Sequence, residues 1–280
     1  MGELPADARL GAIRLRAADA ERLARFYEEA IGLEVVEDGP ITGLGVDGRA
    51  LVELEPDPDA PPRPPHTTGL FHLALLVPTR ADLARALRRV VAAGSRLTGA
   101  SDHLVSEALY LRDPEGNGIE LYRDRPRDDW PDAGGSLRMD TLPLDLGSLL
   151  SEEDEAGDDA DMPAGTTLGH VHLQVADLAA AERFWVDALG LDVAVRGYPG
   201  ALFVSAGGYH HHVGLNTWAG VGAPSPPDGA LGLDRFEVVL PDADAVSEAG
   251  ERLAAAGPVE LVDGGVIAAD PSGNAVLVRA

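Results

Sequence analysis

The chain has 280 residues, 45% of them apolar, with a formal net charge of −25 and no cysteine. Its length allows two ordinary domains, each with its own core, and its apolar content argues against wholesale disorder. A phosphate backbone would be repelled by so acidic a surface, which excludes nucleic acid as the expected partner, and without cysteine there are neither disulfides nor thiolate ligands.

In chain order the predicted elements repeat one pattern four times: a short apolar strand, an amphipathic helix, then two or three further strands. Unit one, residues 9–57, opens on the run Leu10 to Arg16 and continues into a helix with Leu23, Phe26, Tyr27, Ala30 and Ile31 at helical spacing. A proline-rich connector, Pro56 to Pro65, leads to unit two, residues 66–124, which opens at Gly69 to Val77. Late in that unit Tyr110 and Glu120 flank the turn-rich run Asp113-Pro-Glu-Gly-Asn-Gly118. The segment reads as a hairpin that brings the Tyr110 hydroxyl back towards the Glu120 carboxylate.

Residues 125–165 form an acidic linker rich in Asp, Glu, Gly and Pro. Its centre, Ser151 to Asp161, reads as solvated and mobile, and Leu142, Leu144, Leu146, Leu149 and Leu150 before it are expected to pack onto a domain. Unit three, residues 166–220, opens at Leu168 to Val175, and its helix carries Leu178, Ala181, Phe184, Trp185 and Ala188. Asp177 is placed to cap that helix and Gly190 to end it. Unit four, residues 230–280, opens at Gly232 to Val239 and closes with Asp270-Pro-Ser-Gly-Asn274, matching Asp113-Pro-Glu-Gly-Asn117 of unit two. Such a match implies duplication.

The N-terminus lacks the basic and apolar regions of a signal peptide, and no apolar run reaches the length of a membrane span. A cytoplasmic address with no membrane partner is the expectation. Lysine does not occur. The acidic, lysine-free composition reads either as adaptation to high salt or as arginine-favouring coding plus one acidic linker, and neither bears on chemistry.

The βαβββ unit, with Phe26-Tyr27 or Phe184-Trp185 followed by Gly-Leu, resembles the vicinal oxygen chelate superfamily. That superfamily holds glyoxalases, fosfomycin and bleomycin resistance proteins, and extradiol ring-cleaving dioxygenases. Gly69-Leu-Phe-His72, the stretch Ser106 to Glu120, and Gly207-Gly-Tyr-His-His-His212 are similar to the bacterial catechol-2,3-dioxygenase group. The resemblance implies an α+β fold in which four βαβββ units form two open-barrel domains, with metal ligands on first and last strands.

Aligning the four openings on their apolar runs sets Ala12, His72, His170 and Arg235 at one position, and the closing strands set Glu120 against Leu277. Units two and three therefore carry the metal ligands, His72, His170 and Glu120. Two histidines and a carboxylate leave three positions open on a non-haem Fe(II). The metal barrel must then be built from units two and three, with units one and four making a metal-free barrel. His172, two residues on and on the same strand face, competes with His170, but His170 stands as far before Val175 as His72 does before Val77. Glu53 and His66 read as structural.

By the same resemblance His211 is the acid–base group, and His103 and Tyr110 hydrogen-bond the substrate oxygens. On a strand, His210 and His212 would face away from His211. The three consecutive histidines also admit a plainer reading as an adventitious metal-binding surface. The implied activity is an Fe(II)-dependent extradiol dioxygenase acting on catechol or a substituted catechol with dioxygen, although Mn(II) suits the same donors. Two alternatives share the scaffold. A glyoxalase-type isomerase or lyase commonly uses four protein ligands, where three are evident, and a resistance-type protein binds its small molecule without catalysis. Members of the superfamily often dimerise; the sequence leaves the homo-oligomeric state and the ring substituents open.

Overall fold

The computed structural model describes residues 3–131, 137–152 and 161–280. Each of the four copies follows the βαβββ order. The first has β1 (Arg9–Ala17), α1 (Ala20–Phe26) running into a π-helical turn (Tyr27–Ile31), β2 (Glu34–Glu37), β3 (Thr42–Val46) and β4 (Arg49–Pro56). The second has β5 (Gly69–Leu76), α2 (Arg80–Ala92), β6 (Gly99–Asp102), β7 (Ser106–Arg112) and β8 (Gly118–Asp124). A two-residue strand, β9 (Leu142–Pro143), and a short helix, α3 (Leu146–Leu150), follow. The third copy has β10 (Thr167–Gln174), α4 (Leu178–Glu182) running into a π-helical turn (Arg183–Leu189), β11 (Asp192–Val195), β12 (Ala201–Ser205) and β13 (Val213–Asn216). The fourth has β14 (Gly232–Val239), α5 (Ala243–Ala256), β15 (Val259–Val262), β16 (Gly265–Ala269) and β17 (Ala275–Arg279).

Local chemistry starts each helix at the same point of its copy. Asp19, Thr79, Asp177 and Asp242 occupy the N-caps and accept from the backbone N–H of Arg22, Asp82, Ala180 and Ala245 respectively. Gly32 and Gly190 end the first and third helices at φ 86° and 105°, a left-handed conformation that a β-carbon would resist. The π-helical turns were not foreseen from spacing. They carry Tyr27 and Trp185 into full burial.

Those two aromatics meet the duplicated Asp-Pro-x-Gly-Asn turns. The Asp113 carboxylate accepts from the backbone N–H of Glu115 and Asn117 and from Asn117 Nδ2. Asp270 accepts likewise from Ser272, Asn274 and Asn274 Nδ2, and also from Trp185 Nε1 at 3.3 Å. Burial, and then the neighbouring Asp113 carboxylate, push the Tyr27 phenol well above its ordinary value. Each turn is thus a buried carboxylate cage closed by its own asparagine.

The strands make two mixed sheets, ordered β15-β16-β17-β14-β1-β4-β3-β2 and β11-β12-β13-β10-β5-β8-β7-β6-β9. One sheet is therefore built of copies four and one, the other of copies three and two. Opening and closing strands run parallel within a copy, as in β5 with β8, β10 with β13 and β14 with β17, while the hairpin partners are antiparallel. By compactness the chain divides differently. One unit comprises Met1–Arg16, Ala60–Phe71 and Gly169–Ala280, and the other Ala17–Asp59 and His72–Leu168. In the former α5 packs on the Arg183–Leu189 turn, and Trp185 stacks on Phe236 with centroids 5.7 Å apart. In the latter α2 packs on the Tyr27–Ile31 turn and α3 on α2.

The linker is more structured than its composition suggests. β9 pairs with β6, and α3 is held by Arg80, whose guanidinium donates to the Ser148 carbonyl and hydroxyl. Of the five leucines expected to pack, only Leu149 is fully buried; Leu142 and Leu150 stay exposed. Most of the acidic centre, residues 153–160, lies outside the described residues. Among the described residues no helix is long and apolar enough to cross a membrane.

Candidate metal centre

Strand alternation and register place the first two donors. His72 and Ala74 share a face of β5, and Ala74 stands opposite Glu120 on the parallel strand β8. Both donors are buried, and His72 Nε2 lies 3.0 Å from Glu120 Oε2. The register bears on the equivalences read from sequence. Ala74 opposite Glu120 in copy two corresponds to Glu237 opposite Leu277 in copy four, and to His172 opposite Gly214 in copy three.

The hairpin closes as its turn residues predict. Tyr110 is directly opposite Glu120 on the antiparallel pair β7 and β8, and its ring lies 5.6 Å from that of His72. The Tyr110 hydroxyl is 2.7 Å from His103 Nε2, and His103 Nδ1 is 2.7 Å from the backbone carbonyl of Asp140. Nothing in the sequence pointed to that carbonyl, because a main-chain oxygen leaves no residue-type signal.

His170 and His172 are buried on one face of β10 but meet different surroundings. The His170 ring lies 4.1 Å from His211 and 6.1 Å from His210, centroid to centroid. The His172 ring packs against Phe71, Phe203 and Trp218 at 5.3, 5.7 and 5.2 Å. None of these aromatics was singled out from sequence, since a phenyl ring on a strand reads as core.

The strand geometry expected for His210 to His212 does not hold. The three lie in the loop between β12 and β13, where Gly207 and Gly208 adopt φ 61° and 67°, so period-two alternation does not apply. His210 and His211 instead face each other, Nδ1 to Nδ1 at 2.7 Å, a separation that requires one ring to donate and the other to accept. His212 turns away. Its Nδ1 accepts from the Ala206 N–H, and burial followed by the nearby His210 and His170 depresses its pKa to about 4.

Among the described residues one group could hold a metal ion. His72, Glu120 and His170 each offer a ligand atom, and these atoms all lie within 4.8 Å of one another. All three are buried. Two imidazoles and a carboxylate suit a borderline-hard divalent cation.

The model of the glyoxalase/bleomycin resistance protein/dioxygenase superfamily matches residues 9–121 and again 167–278. The chain belongs to this superfamily. Across 286 aligned residues, 99% of either chain, it is 43% identical to the catechol-2,3-dioxygenase of Bacillus subtilis (strain 168). It is 30% identical over 120 residues, 41% of this chain and 63% of the other, to biphenyl-2,3-diol 1,2-dioxygenase 3 of Rhodococcus globerulus. The fold is shared with crystalline glyoxalase I from Zea mays at a TM-score of 0.60 and 18% identity, covering 98% of this chain and 92% of that one.

Proposed function

We propose that the protein is an extradiol dioxygenase that opens the ring of catechol, or of a substituted catechol, beside its two hydroxyls, with Fe(II) as the resident metal. The observation that carries this reading is the convergence of buried His72, Glu120 and His170 on one point. Full-length similarity to a protein named catechol-2,3-dioxygenase supports the same reading.

A metal held by two histidines and one carboxylate supplies open coordination positions at which an aromatic diol and dioxygen can be brought together. The chain's own side chains do the rest. His72, Glu120 and His170, all buried, would hold the metal. His211, against the His170 ring and paired to His210, takes a substrate proton and returns it. Tyr110, held by His103, orients a substrate hydroxyl.

The test is anaerobic reconstitution with Fe(II), followed by catechol and air. Yellow ring-opened semialdehyde with stoichiometric oxygen uptake is the expected result. Tight iron binding with no oxygen uptake from catechol or any substituted catechol would overturn the assignment.

A further inference from the structure

We propose that Asn216 is a specificity residue, whose side-chain N–H donates to a neutral oxygen on the ring substituent of the substrate. The inference rests on the function proposed above and adds a substrate class to it: catechols with a short substituent that carries a carbonyl or ether oxygen.

Strand register places the residue. His170, His172 and Gln174 alternate onto one face of β10, and the parallel pairing sets Gly214 beside His172 and Asn216 beside Gln174. On the other flank of β13, Phe203 stands opposite Gly214 and Ala201 opposite Asn216. Four residues of strand rise about 13 Å, so Asn216 lies about that far along the face from the level of His170. A diol ring with a short substituent spans such an interval.

Aromatic rings line the way. The His211 ring lies 4.1 Å from His170 and 4.9 Å from Phe203, His172 lies 5.7 Å from Phe203, and Trp218 lies 5.2 Å from His172. Phe71 packs on both His172 and Trp218, at 5.3 and 5.2 Å. Trp218 is held by its Nε1, which donates to the Pro199 carbonyl at 3.2 Å, and a β-carbon at Gly200 would crowd that same atom at 3.2 Å. The rings therefore run from a buried candidate donor to an indole that is 45% exposed. A flat apolar group suits this surface.

One polar group on the strand face is left over. Asn216 is fully buried, and its Oδ1 accepts from the backbone N–H of Trp218 at 3.0 Å, which fixes the amide's orientation. Its Nδ2 has no hydrogen-bond partner among the described residues. The flanking side chains do not serve it. Ala201 offers only a methyl group, and the Gln174 side-chain oxygen accepts from Arg63. Arg63 in turn donates to the carbonyls of Thr67 and Leu70, so its guanidinium is directed onto protein oxygens. A buried donor without an acceptor weakens the fold, and a ligand oxygen that meets it offsets that loss on binding. A single amide N–H complements a neutral oxygen better than a carboxylate, whose buried charge needs a stronger partner.

The test is anaerobic calorimetry of two ligands on the Fe(II)-loaded full chain. One is a catechol bearing an acetonyl group para to a hydroxyl; the other bears a methallyl group there. The two share a shape and differ by a ketone oxygen against a methylene, and the spacer carbon keeps their ring hydroxyls alike. The ketone should bind about tenfold more tightly, the scale of one hydrogen bond, and Asn216→Leu should bring the two ligands to equal affinity. Equal binding by the unaltered chain would overturn the proposal, and that comparison stands whether or not the variant folds. A ketone preference that survives Asn216→Leu would overturn it too. Admitting air then tests the reaction separately. A preference without ring cleavage leaves the Asn216 assignment standing while the dioxygenase reading falls; cleavage of both ligands at equal affinity does the reverse.

Discussion

His172 lies directly opposite Gly214 on the parallel strands β10 and β13, and a β-carbon at position 214 would stand 2.9 Å from the imidazole. The same register position in copy two pairs Ala74 with Glu120. Copy two thus places a small residue opposite the carboxylate donor, whereas copy three has given up any side chain at that point to seat His172. The prediction is that Gly214→Ala displaces the His172 ring and costs about 1–3 kcal/mol of stability by overpacking. Urea unfolding checks it, and an unchanged midpoint would mean that the ring has room to yield.

Metal binding should depend on all three donors. The purified chain is expected to take up one Fe(II), and His72→Ala, Glu120→Ala and His170→Ala should each weaken uptake by about a hundredfold or more, since outer groups alone are worth up to about that much. Elemental analysis after anaerobic dialysis gives the answer. Chelation should abolish oxygen uptake, and added Fe(II) should restore it.

His211→Ala should keep the metal but lower turnover by about 10²–10⁴, the usual contribution of a positioned acid–base group. Steady-state oxygen uptake and iron content, measured on the same preparation, separate this outcome from loss of the site. His210→Ala is the informative companion, because it removes the partner at 2.7 Å without touching the His211 ring itself.

Mild acid should weaken the metal-free fold through His212. Its pKa is about 4 in the folded chain, against about 6.5 when unfolded. The folded pKa is the lower, so the unfolded chain binds the proton first as pH falls. The stabilisation is complete above about pH 6.5 and is lost as pH drops towards 4, at most about 3 kcal/mol in all. Urea midpoints at pH 7 and 4.5 should differ more in the wild type than in His212→Gln.

Asp270→Ala should leave two backbone N–H groups, the Asn274 amide and the Trp185 indole without their shared acceptor. Loss of about 3 kcal/mol is expected, of the order of several buried donors left unsatisfied. Trp185 fluorescence reports the change at the site, and calorimetry reports the stability.

Much of this was legible because it is local or periodic. Apolar runs gave the four opening strands, Asp177 and Gly190 gave helix ends, and Asp113 to Gly118 gave the turn that sets Tyr110 against Glu120. Repetition then located His72 and His170 on equivalent strands. What escaped was set by tertiary contacts. The π-helical turns exist to seat Tyr27 and Trp185 on carboxylates more than eighty residues away in sequence. The histidine run fell in a loop because Gly207 and Gly208 bend it, and glycine spacing alone does not say where a strand begins.

The sheet order has a genetic corollary. Neither half of the duplicated chain contains the whole proposed donor set: residues 1–165 hold His72 and Glu120, and residues 166–280 hold His170. A gene cut at the acidic linker would therefore encode two fragments of which neither could grip a cation as the intact chain does. On the proposed function, keeping both halves in one chain is a condition of the chemistry.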